Sequence, residues 1–347
     1  PSMMVSANNV VYSTAISFGY QDYEDADGKT FRADGFYLPY FTAAVPIINH
    51  RIGIKYSLMA SGNLDTYGES SLILEDETKL EYEEKNSIIS NIYKIDFAYA
   101  FKNKFVNVGV SGNYYIGHRI HYWGADFEDA TLIDSKYEKK ELFKNPGFTI
   151  GLSKRLARFS LGLSYSSAVH LDGKSTFVYN HVPYEDILDE VDYLFEVPAK
   201  LTGGMALKFA ESYKISADVH YELWEDTKTY DKNTFKLSAG ISYDPLSGYG
   251  KWYESIPLRV GVSYRELPFE VNNEAINELK ASFGLSLPLE SPNKKIDLAV
   301  EYITRGDNEL NGLSENSIMF SVGITGFDIF SKRYKKIEEK DIPKADF

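Results

Sequence analysis

The most constraining feature of this sequence is an alternation of apolar residues with polar or very small ones that recurs along most of its length. In segment 159–165, for example, Phe, Leu, Leu and Tyr alternate with Ser, Gly and Ser. Successive side chains of a β-strand point to opposite faces, so such a segment predicts a strand with one apolar face. The same period of two returns at 106–116, 235–243, 258–265, 283–287, 296–302 and 318–324.

Counting such segments predicts fourteen strands. They lie near residues 10–20, 36–46, 51–61, 88–101, 105–118, 147–154, 157–168, 194–209, 213–223, 233–244, 257–266, 277–289, 295–304 and 317–327. Pro39 falls inside the second of them. Because proline donates no hydrogen bond to a strand ladder, we expect a bulge or kink at that position.

The composition fits a transmembrane β-barrel better than a helical membrane protein. No run of 18 apolar residues occurs, and the mean hydropathy is only -0.30, which excludes helical spans. A barrel strand needs an apolar side chain only at every second position, so low hydropathy is compatible with crossing a membrane. The 27 Tyr and 21 Phe suit the aromatic girdles of such barrels. We therefore expect an all-β, antiparallel transmembrane barrel of about fourteen strands.

The connections between the predicted strands alternate in length. Short turns fall at 47–50, 102–104, 155–156, 210–212 and 290–294, and long segments lie at 62–87, 119–146 and 169–193. Bacterial barrels have short periplasmic turns and long extracellular loops, so both termini are expected in the periplasm. The alternative is a large soluble β-sandwich or lipocalin-like fold, whose strands also alternate. Tyrosines at strand ends favour the membrane barrel, as at Tyr165, Tyr243, Tyr264 and Tyr302.

Three stretches in the last third of the chain read RVGVSYR at 259–265, ASFGLSLP at 281–288 and IMFSVGI at 318–324. In this pattern they resemble the outer-membrane FadL/TodX hydrophobic-compound transport family. The resemblance implies a multi-pass protein of the Gram-negative outer membrane that passes fatty-acid-like or aromatic solutes by diffusion. It also implies an N-terminal hatch, of which residues 1–9 resemble a remnant. We expect the barrel itself over 10–328 and a charged periplasmic tail over 329–347.

Candidate ligand contacts come from two groups of residues. Large apolar side chains in an acidic external segment predict a capture site for an apolar solute, unless they only pack the loops on one another. Lysines and arginines with lumen-facing parity could hold a carboxylate head group, although most lumen charges would satisfy one another as a structural network. The candidate ligand-binding residues are Phe177, Tyr179, Leu188, Tyr193, Phe195, Arg259 and Arg265.

Other function classes find little support. The formal net charge of -13 argues against nucleic acid as a partner. None of the six histidines lies in a recognised catalytic or zinc-binding motif, so no enzyme activity, cofactor or metal is predicted. The expected partners are membrane lipids and a small hydrophobic ligand. An outer-membrane or periplasmic protein could also bind the C-terminal tail, which leaves open a second function class, a structural or shuttle subunit of an outer-membrane secretion or assembly complex.

Overall fold

A computed structural model describes residues 10–25, 28, 30–73, 79–127, 132, 134–180, 187–230, 232–245, 252–289 and 294–326. The hatch remnant expected at 1–9 and the tail expected at 329–347 lie outside these residues. Of the described helices, none has the length and apolar character needed to cross a membrane.

The described chain forms sixteen antiparallel β-strands, one α-helical turn, α1 (Asn308–Asn311), and a 3-10 turn (Trp252–Ser255). The strands are β1 (Val11–Asp25), β2 (Thr30–Ile47), β3 (His50–Ile73), β4 (Lys79–Phe101), β5 (Asn107–Phe127), β6 (Ser135–Arg155), β7 (Phe159–Ser166), β8 (Val169–Asn180), β9 (Ile187–Val197), β10 (Ala199–Lys208), β11 (Tyr213–Leu223), β12 (Thr234–Tyr243), β13 (Leu258–Val271), β14 (Glu274–Pro288), β15 (Lys295–Asp307) and β16 (Leu313–Thr325).

The strands close into a fourteen-stranded barrel, because β1 pairs with both β2 and β16. Strands β7 and β8 are two parts of one long strand, since both pair with β6. Strands β9 and β10 are likewise one strand, separated only by Pro198, which has no N–H for the ladder. The predicted fold class and strand number are therefore confirmed.

The apolar residues of each alternating strand lie on the outer surface of the barrel. Lumen-facing positions hold mostly Ser, Gly, Thr, Asn and charged residues, of which Ser111, Asn113, Thr149 and Ser153 are buried. An apolar belt of this kind matches the roughly 25 Å band of a membrane barrel. The belt includes Phe18, Phe41, Ile54, Phe97, Val110, Ile116, Ile150, Leu163, Met205, Ile241, Val260, Phe283 and Phe320.

The two ends of the barrel differ. The chain ends of the barrel, at Val11 and Thr325, lie at the end that carries the connections 48–49, 102–106, 156–158 and 209–212, here called the turn end. One connection at this end, 244–257, is longer than the others. At the opposite, external end the predicted long connections 62–87, 119–146 and 169–193 fold largely as strand extensions. These extensions form a six-stranded sheet, here called the upright sheet, made of the external parts of β3, β4, β5 and β6 with β8 and β9.

The barrel wall has a seam between β2 and β3. Their ladder runs from the turn end only as far as the pair Tyr40 and Ser57. Beyond it, β2 pairs with β1 alone and β3 pairs with β4 alone. Two irregularities lie at this level: a register shift in β2 across Pro39, as the sequence predicts, and another in β3 at Met59. Both strands can therefore diverge without breaking their other ladders.

Candidate functional site

The lumen contains a cavity of about 460 Å3 that combines apolar and cationic surfaces. It lies between β3, β4 and β5 on one side and β7 and β9 to β13 on the other. Its lining consists of Met59, Ala60, Ile92, Lys94, Tyr115, Ser166, Phe195, Val197, Pro198, Lys200, Thr202, His220, Glu222, Trp224, Lys236 and Arg265.

The apolar side of the cavity belongs to a buried cluster inside the barrel. Ile92, Tyr115 and Val197 are members of both the cluster and the cavity lining. Phe195 packs against the cluster and against the ring of Phe143, with 6.5 Å between the ring centroids. These residues are apolar, whereas most other lumen-facing residues are polar or very small. This part of the lumen wall therefore offers an apolar surface to a solute.

The opposite side of the cavity is organised around Glu222 of β11. Its carboxylate pairs with Lys200 and with Arg265, each at 3.3 Å. It also accepts hydrogen bonds from the indole nitrogen of Trp224 at 3.1 Å and from Thr234. One carboxylate thus fixes side chains from β10, β12 and β13 and the indole of Trp224 around the cavity, which makes this side preorganised.

Cations outnumber carboxylates on this side of the cavity. His220, Lys236 and Arg265 are direct neighbours across β11, β12 and β13. Arg265 pairs with Glu222, whereas Lys236 forms no ion pair within the part of the chain that the structure describes. The cavity can therefore attract a carboxylate while its other side holds an alkyl or aromatic group.

Other charges with lumen-facing parity pair with one another, within a strand or between strands, as expected for a structural network. Arg305 of β15 binds both Glu278 and Glu315, the former at 2.7 Å. Further pairs are Lys94 with Asp96, Arg259 with Asp297, and Lys280 with Glu301.

The upright sheet carries an aromatic surface on its lumen-side face. Phe177 of β8 lies 6.1 Å from the ring of Tyr137, and the ammonium of Lys139 lies 5.3 Å from its centroid. Tyr137 also packs edge-on against His121. This surface lies on the same face of β6 as the buried cluster below it, since Tyr137 and Phe143 both occupy odd positions of that strand. It therefore adjoins the external approach to the lumen cavity.

The candidate ligand-binding residues occupy different places. Phe195 and Arg265 both line the lumen cavity, and Phe177 lies on the aromatic surface. Arg259 lies near the turn end, where Ser286 accepts its hydrogen bond at 3.0 Å. The side chains of Tyr179, Leu188 and Tyr193 lie outside the described part of the chain, but the register sets Leu188 opposite Val178, in the row that alternates with that of Phe177.

Of the cavity lining, the sequence predicted only Phe195 and Arg265 as ligand contacts; among the residues that it did not predict are Ile92, Tyr115, Trp224 and Lys236. A usable signal existed for two of them, because Ile92 and Tyr115 are large residues at lumen-facing positions of otherwise alternating strands. Trp224 follows the end of β11, where the alternation stops, so the sequence pattern does not predict which way its side chain points.

A smaller pocket of about 250 Å3 lies at the seam between β2 and β3. It is lined by Phe36, Tyr37 and Leu38 of β2 and by Tyr56 and Leu58 of β3, together with residues of β4. The seam begins about seven residues from the turn end of β3, which is roughly 23 Å along the strand and, because the strand is tilted, roughly 17 Å along the barrel axis. The pocket is therefore level with the apolar belt.

The fold is similar to that of several solved outer-membrane channels. The chain aligns with a Pseudomonas aeruginosa FadL homologue at a TM-score of 0.64 and 13% identity, covering 94% of this chain and 92% of that one. The Pseudomonas putida toluene transporter TodX gives 0.62 and 14%, with the same coverages. The Ralstonia pickettii toluene transporter TbuX gives 0.59 and 13%, covering 93% and 90%. The expected likeness to FadL/TodX barrels is thus confirmed for the fold, and with the closed, apolar-belted barrel it assigns the protein to the outer membrane.

Sequence comparison adds the family. No curated protein matches the chain. The family model BamG matches residues 1–335, which is nearly the whole chain. The chain therefore belongs to the BamG family.

Proposed function

We propose that this protein is an outer-membrane passage for small hydrophobic molecules. The observation that carries the proposal is the lumen cavity, which joins an apolar side at Phe195 to a cationic side at Lys236 and Arg265. Full burial of one Phe or Leu side chain is worth roughly 1.5 to 3 kcal/mol, so a few such contacts suffice for micromolar binding after ordering costs. Movement needs no energy source, because a solute partitions between sites of similar chemistry.

The proposed route has three stages. A solute is captured on the aromatic surface near Phe177, enters the cavity beside Phe195, and leaves either along the lumen or through the seam at Tyr40 and Ser57. The seam pocket supports the lateral exit because it lies level with the lipid acyl chains. Cross-linking β2 to β3 by cysteines at Leu38 and Leu58, which line the pocket just beyond the pair of Tyr40 and Ser57, tests which exit is used.

Ligand binding tests the cavity itself. The probes are a fluorescent fatty acid and a neutral fluorescent aromatic hydrocarbon, added to the folded protein in detergent. Phe195→Ala should weaken both probes by roughly 10- to 100-fold, since both use the apolar side. Lys236→Gln should weaken only the fatty acid. Phe283→Ala, on the lipid-facing surface, is the matched control and should change neither affinity. Unchanged affinity in Phe195→Ala would sink the proposal.

The family match favours a second candidate. The name of the BamG family, to which the chain belongs, does not refer to transport. The likeness to the transport channels concerns the fold alone. The upright sheet also gives the barrel a large external surface that a passage alone does not need. This second candidate is a barrel subunit of an outer-membrane secretion or assembly complex.

One purification separates the two candidates. The tagged full chain, extracted in mild detergent, is analysed by mass spectrometry for bound lipids and for stoichiometric proteins, and reconstituted alone for solute flux in liposomes. A passage retains flux without partners. A subunit co-purifies with defined membrane proteins and shows no flux above that of an empty liposome.

A further inference from the structure

A row of cations crosses the lumen wall close to the turn end, away from the cavity described above. Lys208 of β10, Lys214 of β11, Ser242 of β12 and Arg259 of β13 are consecutive cross-strand neighbours. The backbone carbonyl of Arg158 accepts a hydrogen bond from the backbone N–H of Lys208, which adds a fourth cationic residue beside the row. Neighbouring strands are about 4.8 Å apart, so Lys214, Ser242 and Arg259 fall within reach of one small ligand.

The serine in this row is buried and lacks a partner. Ser242 alternates with the lipid-facing Ile241, which places its hydroxyl on the lumen side. The side chain is 8% exposed, and its Oγ has no hydrogen-bond partner among the described residues. Buried hydroxyls are normally hydrogen-bonded, so an orphaned one between two cations indicates a missing acceptor.

The positive charge here is only partly neutralised. Lys208 and Lys214 face each other directly, which is unfavourable for like charges. Arg259 pairs with Asp297 at 3.6 Å, and the nearby carboxylates of Glu211 and Asp244 form no ion pair with either lysine. Cations at the external end behave differently: Lys232, for example, pairs with both Glu266 and Glu270. The row therefore holds an excess of positive charge beside an unsatisfied donor.

We propose that this row is a phosphate-binding site at the periplasmic mouth of the lumen. A phosphate oxygen over Ser242 accepts the orphaned hydrogen bond, while Lys214 and Arg259 contribute charge-assisted hydrogen bonds from either side. A phosphate is favoured over a carboxylate because its second negative charge is matched by the additional cation, Lys208. The group can belong to a free solute or to a phospholipid head group, and the site does not depend on the proposed passage of hydrophobic molecules.

Titration with inorganic phosphate tests the site in the folded full chain. In detergent at constant ionic strength, phosphate should raise the thermal unfolding midpoint in a saturable way, with chloride as the reference anion. Lys214→Gln and Ser242→Ala should each weaken phosphate at least about tenfold. Ser242→Ala removes only a hydroxyl without a partner, so it should leave folding intact. Lys136→Gln, an exposed lysine on the outer face of β6, is the matched control.

A second arm distinguishes the sources of phosphate. Short-chain phosphatidylglycerol and phosphatidylcholine are added in place of inorganic phosphate. Stabilisation by phosphatidylglycerol but not by inorganic phosphate, lost in Lys214→Gln, assigns the site to a lipid head group. Stabilisation by inorganic phosphate assigns it to a solute. Absence of both effects, or equal effects in Lys214→Gln and the parent, overturns the proposal.

Discussion

The indole nitrogen of Trp123 on β5 donates a hydrogen bond to the carboxylate of Glu84 on β4 at 2.7 Å. Ser70 and Asn86 donate to the same carboxylate at 2.9 and 3.1 Å. These bonds, that of Trp123 above all, hold the pKa of Glu84 below its ordinary value of 4.5. Because the folded state favours the ionised form, the stabilisation is complete above about pH 4.5 and is lost as the pH falls through the folded pKa.

The first prediction concerns this contact. Acidification below about pH 4.5 should loosen the upright sheet before the barrel unfolds, and Glu84→Gln should abolish that acid-dependent step. Limited proteolysis of the folded protein between pH 6 and 3.5 measures it, with Glu83→Gln as the control on the opposite face of β4. Identical proteolysis of Glu84→Gln and the parent across this range would contradict the assignment.

The second prediction concerns Glu141, which is buried to 1% exposure between Arg119 and Lys139. Burial raises the pKa of this carboxyl, but the hydrogen bond from Arg119 and the ion pair with Lys139 outweigh it, so its pKa lies below 4.5. Glu141→Gln should lower the free energy of unfolding by about 1.5 to 3 kcal/mol at pH 7, since hydrogen bonds to charged groups are worth that much. The deficit should shrink as the pH falls below about 4.5, where the parent also loses the charge.

Urea unfolding in bilayers at pH 7 and pH 4 measures the Glu141 effect. Glu138→Gln, three positions earlier in β6, is the matched control and should change little at either pH. A deficit that stays constant with pH would show that packing, not charge, accounts for it.

The third prediction concerns the lipid-facing parity of β7. Leu163 is 57% exposed on the outer face, whereas Ser164 follows it on the lumen side. Leu163→Arg should cost about 2 to 4 kcal/mol in a bilayer, because a guanidinium then meets hydrocarbon near the midplane. Ser164→Arg should cost less, since the lumen is polar. Equal urea midpoints for the two variants would mean that the faces are exchanged.

The fourth prediction uses two glycines of β5. A Cβ on Gly117 would overlap the ring of Phe143 and lie 2.8 Å from the carbonyl oxygen of Asn91, whereas a Cβ on Gly112 would meet open space. Gly117→Ala should therefore destabilise the barrel by about 1 to 3 kcal/mol. Gly112→Ala should be neutral or stabilising by up to about 1 kcal/mol, because alanine costs less backbone entropy than glycine. Equal stabilities would show that Phe143 can move aside.

Alternation located the strands well only where a bilayer imposes it. The prediction 213–223 coincides with β11, whose outer face is in the membrane. In contrast β3 continues to Ile73, past its predicted end at 61, through residues such as Glu69 and Ser70. Above the membrane both faces of a strand meet water, so polar residues occupy both and the period disappears while the backbone pairing continues.

The cavity could be anticipated only in part, for a different reason. The alternation of its strand predicted that Arg265 faces the lumen. Phe195 was predicted because it is a large apolar residue in a segment that is otherwise rich in acidic residues. The neighbourhood of Lys236 and Arg265 depends on the register between β12 and β13, which joins positions 29 residues apart. Register is set by the turn and by packing of the whole barrel, so a single strand does not reveal it.

The parting of β2 from β3 beyond Tyr40 and Ser57 has a consequence for the order in which the protein comes apart. Below that pair, releasing any strand means breaking a ladder on each of its sides. Above it, β3 is held by β4 alone, so strands can peel from the upright sheet one ladder at a time. Amide exchange should therefore be faster along 60–73 than along the part of β3 that is paired on both sides, and local unfolding should begin at the edges of the upright sheet while the membrane ring stays intact.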